Sequence, residues 1–265
     1  MSGTTELEPD ETEASLARLD EQMKRRVGGL SGSLRLERIA GGQSNPTFFA
    51  HFDNRSLVVR AKPRGDLLPS AHAVDREYRV LRALEPSPVP TPTALFYCDD
   101  PEVYPTPFYV MEKVPGRVFA DAALEGCSSC FRRQAYLAMA DGLADLHTQD
   151  WRALRLTDFG HPEGYFRRQV RRWTERWRAT QFRDMPELDA LANWLADSLP
   201  ADSPLHSIVH GDYRVGNLLF SDAGRVNAIL DWELSTIGHP FADVAHSCIW
   251  WRITPEEYGG LKGLD

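Results

Sequence analysis

Apolar positions along the chain keep one period, then another, then return to the first. From Glu13 to Val27 they recur at Leu16, Leu19, Met23 and Val27, one face of an amphipathic helix that Gly28-Gly29 ends. Residues 1–12 carry no such pattern and read as disordered. The period then falls to two. "SLRLERI", "TFFAHF" and "LVVRAK" predict an antiparallel meander, with "AGGQSNPT" inside its first hairpin and "DNRS" at its second turn. A helix follows over "PSAHAVDREYRVLRALE", with Ser70 as its cap and Pro86 as its stop. The proline-rich "EPSPVPTPTA" is an extended connector, strands recur around "ALFYCD" and "PFYVMEKV", and Pro115-Gly116 breaks the chain.

Beyond that break the pattern is helical. Ala135, Met139, Leu143 and Leu146 form one stripe, Phe166, Val170, Trp173 and Trp177 another, and a third helix covers residues 187–198. Two short apolar runs, Ile208-Val209 and Leu218-Leu219-Phe220, then read as a strand pair, and the turn "SDAG" leads to the strand "NAILDWE". The order predicts an α+β protein in two lobes. Residues 31–115 form a lobe of antiparallel sheet with one helix, and residues 116–265 a mainly helical lobe. Residues 1–30 are an N-terminal extension carrying the first helix.

Composition narrows the function. The chain has 265 residues, 42% hydrophobic and 26% charged, enough for a sizeable core. A net charge of −8 argues against nucleic acid as a partner. No run approaches the roughly 18 apolar residues of a membrane span, and the acidic first fifteen residues are no signal peptide, so a cytoplasmic protein without a membrane partner is expected. Cys127-Ser-Ser-Cys130 has no second pair to complete a zinc site, and two free thiols at a helix start are the simpler reading.

Three features carry chemistry. The loop with Gly41, Gly42, Gln43, Ser44 and Asn45 joins two strands, so it is not a Walker A loop; it is either an ordinary hairpin loop or a flap offering N–H groups to phosphates. Glu77 shares the helix stripe of Val74, Tyr78 and Leu81, where an ionised carboxylate needs a cation. Arg60 and Lys62, two apart on one strand face, are the candidates to meet it and to position phosphates. Finally, "VHGDYRVGNLLF" gives D-x-x-x-x-N at Asp212 and Asn217, and Asp231 follows at the end of "NAIL". Two strand-end carboxylates and an amide, brought together by a hairpin, suit Mg²⁺ held beside a polyphosphate; the alternative is three polar residues satisfying loop backbones. Asp212, not needed by the metal, is left to accept a hydroxyl proton.

"VHGDYRVGNLLF…AILDWELSTIGHPFADVA" resembles the aminoglycoside phosphotransferase and choline kinase group, whose catalytic loop begins His-Gly-Asp. "GGQSNPT" and "DWELSTIGHPFADVA" look like the branch whose phosphotransferase domain is fused to acyl-CoA dehydrogenases. The resemblance runs from about Leu34 to Trp251 and implies a two-lobed protein-kinase-like fold. It also implies ATP, or alternatively GTP, with Mg²⁺, and a phosphoryl transfer to a hydroxyl of a small-molecule acceptor. Through it Asp212 is the catalytic base, Asn217 and Asp231 hold Mg²⁺, and Glu77 pairs with the phosphate-binding cation. Met111, Glu112 and Val114 lie in the hinge that meets the nucleotide base, and Asp243 braces the catalytic loop.

From the branch, the preferred acceptor is a hydroxyacyl acid or its thioester; an aminoglycoside or other amino-alcohol is the alternative, and an inactive nucleotide-binding module a third reading. Relatives continue with helices that close the acceptor pocket, whereas this chain stops 34 residues after Asp231, so a partial acceptor site is expected. A protein kinase is disfavoured because no A-P-E segment follows Asp231. Arg167, Arg168, Arg171 and Arg172 are either the solvated face of their helix or a contact for an anionic acceptor, the former preferred. The sequence names no protein partner.

Overall fold

Period-two alternation after residue 33 builds one antiparallel sheet. The structure, a computed structural model, describes residues 13–39, 45–65 and 73–264. Its five strands are β1 (Arg35–Arg38), β2 (Thr47–His51), β3 (Ser56–Ala61), β4 (Ala94–Cys98) and β5 (Phe108–Glu112), in the order β1-β2-β3-β5-β4. Val59 stands opposite Val110 and Arg60 opposite Tyr109, so neighbouring residues of β3 serve opposite faces. One face, with Phe48, Ala50, Leu57, Val59, Phe108 and Val110, closes a core with Leu19 and Met23 of α1 (Glu13–Val27). Both α1 side chains are fully buried there, worth roughly 1.5–3 kcal/mol each, so the first helix is built into the core of the sheet. The other face presents Arg60 and Tyr109 to α2 (Val74–Leu84), whose buried stripe is Val74, Glu77, Val80, Leu81 and Leu84. The glycine loop with Gly41, Gly42 and Ser44, and the expected cap Ser70, lie outside the described residues.

The chain divides into two compact units, residues 1–142 with 214–234 and residues 143–213 with 235–265. The first holds the sheet, most of α3 (Ser129–His147), and a hairpin of β7 (Leu218–Phe220) and β8 (Val226–Ile229). It runs past residue 115, the end expected for the first lobe, and hydrogen bonds show why. Arg117 and Phe220 exchange two backbone hydrogen bonds of 2.8 Å, and the Asn227 amide donates to the Pro115 carbonyl at 2.8 Å. Gly116 between them has φ +152°, and a Cβ there would strike Leu219 and stand 2.9 Å from the Phe220 carbonyl oxygen.

The second unit holds α4 (Tyr165–Thr180), α5 (Pro186–Asp197), β6 (Ser207–Val209), β9 (Thr236–Gly238), α6 (Phe241–Cys248) and α7 (Pro255–Tyr258). Here the structure corrects the sequence reading. Ile208 pairs with Ile237 of β9, and Leu218 pairs with Ile229 of β8, so the runs before and after the His-Gly-Asp turn belong to different ladders. β9, three residues set between Ser235 and His239-Pro240, is too short for its period to mark it. On α4 only Tyr165 is buried; Phe166, Val170 and Trp177 are half-buried and Trp173 is 49% exposed, so the apolar stripe is covered in part. Arg171 stands 3.9 Å from Glu175 with both side chains 71% exposed, in keeping with a solvated basic face. All four cysteines are free. Among the described residues no helix is long and apolar enough to cross a membrane.

Candidate functional site

Arg60 is the cation that Glu77 needs. Its Nε lies 2.8 Å from Oε2 of Glu77, and its Nη2 donates to Oδ1 of Asp231 at 2.5 Å. Lys62 falls one residue past the end of β3 and, among the described residues, has no ion pair. Two further groups close around Glu77: the Asn45 amide donates to Oε1 at 2.6 Å and the Tyr109 hydroxyl to Oε2 at 3.1 Å. Asn45, expected to meet the nucleotide, is 1% exposed and spends this amide on Glu77, tying the end of the glycine loop to α2. Burial, against the pull of Arg60, raises the Glu77 carboxyl from 4.5 to about 7. Burial would lower Arg60, yet Glu77, Tyr109 and Asp231 together carry it above its ordinary value. The guanidinium therefore stays charged, and the carboxylates compete for it.

The β7–β8 hairpin positions the expected metal ligands. Leu230 donates its N–H to the Asn217 carbonyl at 2.8 Å, which sets Asn217 beside the chain entering Asp231. Asp231 itself has φ +64°, a left-handed conformation that costs a non-glycine residue about 1 kcal/mol. Such an outlier is the kind of backbone strain that functional sites retain. Glu233, which the sequence reading passed over, adds a third carboxylate, and ligand oxygens of Glu77, Asp231 and Glu233 lie within 4.8 Å of one another. Their oxygens are hard donors, gathered where Glu77 and Asp231 share the Arg60 guanidinium. That donor set fits Mg²⁺, with Asp231, Asn217 and Glu233 as the residues to hold it.

In the second unit one aspartate organises the His-Gly-Asp turn. Asp243, on α6 and fully buried, accepts the N–H of His210 on Oδ2 and the N–H of Gly211 on Oδ1, both at 2.8 Å. His147 Nε2 lies 3.0 Å from the same carboxylate. This is the bracing role expected of it. Gly211 at φ +88° permits the tight turn, and the Asp212 N–H returns to His210 Nδ1 at 3.2 Å. The Asp212 side chain, 26% exposed, stands 2.9 Å from His246 Nε2. Neither His147 nor His246 was singled out from the sequence. The usable signal was an Asp and a His three apart in "ADVAH", neighbours on one helical face.

The expected hinge begins inside β5 and runs past its end. Met111 is buried between Val58 and Ala94, while Glu112 donates its N–H to the Thr93 carbonyl at 2.9 Å and its carboxylate accepts from Arg55 at 2.5 Å. Val114 is half-buried just beyond the strand.

Comparison with known proteins gives the family and the fold. Residues 35–262 match the model of the phosphotransferase enzyme family. The chain is 45% identical over 218 residues to acyl-CoA dehydrogenase family member 11 of Gallus gallus, covering 82% of this chain and 28% of that protein. It is 42% identical over 248 residues to member 10 of Mus musculus, covering 93% and 23%. The chain thus spans under a third of the length of these relatives. A solved structure from Ralstonia eutropha, described as a candidate aminoglycoside phosphotransferase, superposes with a TM-score of 0.82 at 41% identity, over 94% of this chain and 74% of that one. Aminoglycoside phosphotransferase APH(4)-Ia, solved with ADP and hygromycin B, shares the fold at a TM-score of 0.60 and 16% identity, over 88% and 76%. The α+β architecture is therefore protein-kinase-like, and the chain belongs to the phosphotransferase enzyme family.

Proposed function

We propose that the chain is an ATP- and Mg²⁺-dependent kinase of a small metabolite, working in the cytoplasm on a hydroxyl group. The observation that carries this reading is the cluster in which Arg60 serves both Glu77 and Asp231, with Glu233 close by. A cation fixed on a sheet beside clustered carboxylates suits a triphosphate that arrives with its own metal. Mg²⁺, when bound, neutralises phosphate charge. Arg60 meets phosphate oxygens, Glu77 keeps Arg60 from swinging away, and the segment from Met111 to Val114 takes the base. Asp212 accepts the acceptor's hydroxyl proton while that oxygen bonds to the γ-phosphorus, the bridging P–O bond breaks and ADP leaves. Most of the acceleration then comes from positioning and charge neutralisation.

The acceptor we favour is a hydroxyacyl acid or its coenzyme A thioester, because the relatives bear the name of acyl-CoA dehydrogenases. The description of the Ralstonia eutropha structure favours a second reading, an aminoglycoside or other amino-alcohol. Incubation with Mg-ATP, or Mg-GTP, and both acceptor classes, followed by mass detection of phosphorylated product, tests the proposal. A phosphate ester at the hydroxyl of the acyl acid or thioester is expected. Nucleotide binding without any transfer, to these acceptors or to water, overturns it in favour of an inactive binding module.

A further inference from the structure

The α6 helix aims two side chains at the His-Gly-Asp turn. Asp243 fixes the backbone, since the His210 and Gly211 amides both end on its carboxylate at 2.8 Å. Hydrogen bonds to the backbone do not by themselves set the direction of the Asp212 carboxylate. One helical turn on, His246 lies on the same face and places Nε2 2.9 Å from Oδ1 of Asp212. The two side chains are 36% and 26% exposed, so this contact sits at the surface, not in the core.

We propose that His246 is the positioning residue of the transfer: its Nε2–H holds the Asp212 carboxylate in the direction from which it meets the acceptor hydroxyl. This rests on the reading of Asp212 as the base. The donor suits the task. Nε2 bearing a proton has no lone pair to offer, so it does not compete for the proton that Asp212 takes. Because Asp243 and His246 share one short helix, backbone and side chain of Asp212 are set from a single rigid element, α6 (Phe241–Cys248). Placing both on one rigid element preserves the alignment on which transfer depends, where an error of an ångström costs about 100-fold.

Turnover is measured with Mg-ATP and whichever of a hydroxy fatty acid, its coenzyme A thioester or water gives the largest wild-type rate. His246→Leu is expected to lower kcat about 10- to 100-fold, with the KM for Mg-ATP within about twofold and the melting temperature unchanged. His246→Gln, which keeps an N–H at the same reach, is expected to recover most of kcat. On an Asp212→Asn background His246→Leu should cost nothing further. Wild-type kcat in His246→Leu, or an undiminished loss on the Asp212→Asn background, overturns the inference while leaving Asp212 as base. Wild-type kcat in Asp212→Asn removes the base assignment and the inference with it. A structural role alone would move the melting temperature and would not be rescued by Gln. As a check independent of turnover, the His246 imidazole nitrogen resonances must shift in Asp212→Asn; unchanged resonances also overturn the inference.

Discussion

Arg60 Nε stands 2.8 Å from Oε2 of Glu77, with the two side chains 12% and 1% exposed. Truncating one partner strands the other charge, at a cost of about 3–5 kcal/mol, well above the ~1 kcal/mol of a surface pair. Glu77→Ala and Arg60→Ala should each destabilise on that scale, and the double variant should lose less than their sum. Lys62→Ala should be additive with Glu77→Ala. Urea unfolding of the two cycles measures both couplings; coupling through Lys62 in place of Arg60 would contradict the register of β3.

Asp243 predicts a different failure. Asp243→Ala leaves two backbone N–H groups and His147 without this acceptor, the His210 N–H in a fully buried place and the others in partly buried ones. At roughly 1–3 kcal/mol for each unpaired group, the melting temperature should fall by about 10 °C or more, with faster amide exchange at Gly211. Calorimetry and exchange measurements check it. An unchanged melting temperature would mean that the turn is held by something else.

Gly116→Ala should also destabilise. A Cβ there meets Leu219 and the Phe220 carbonyl at a φ of +152°, and the paired hydrogen bonds of Arg117 with Phe220 limit how far the chain can shift. A loss of about 1–3 kcal/mol in chemical unfolding is expected. Gly65→Ala, with nothing within 4 Å but φ +101°, should cost less, because only the backbone preference opposes it.

Much of this was legible in the chain because period and punctuation are local. Leu19 and Met23 announced the buried face of α1, and the inward carboxylate at Glu77 stood out against the apolar stripe of α2. What escaped depends on pairing at a distance. Arg60 and Lys62 share a strand face by period alone, and only the end of β3 at Ala61 separates them. The strand before His-Gly-Asp seemed to pair with the strand after it because β9 is three residues long and ringed by turn formers. His246 and Glu233 each sit near a residue already singled out, at Asp243 and Asp231. Their use depends on where a helix and a hairpin end point, which spacing alone leaves open.

Metal dependence should divide the ligands by charge. Asp231→Ala should abolish the Mg²⁺-dependent part of nucleotide binding, whereas Asn217→Ala should weaken it less, because an amide holds Mg²⁺ less strongly than a carboxylate. Titration calorimetry with ATP, with and without Mg²⁺, reads the difference. Equal Mg²⁺ dependence in wild type and Asp231→Ala would remove Asp231 from the metal site.

The central claim is that Asp212 serves the chemistry and not the nucleotide. The most direct measurement takes Asp212→Asn and determines Mg-ATP affinity by calorimetry and phosphoryl transfer by product formation on the same preparation. The account predicts an affinity within about twofold of wild type and transfer reduced by roughly 10²-fold or more. Wild-type transfer in Asp212→Asn, or loss of Mg-ATP binding on the same scale as the loss of transfer, would contradict it.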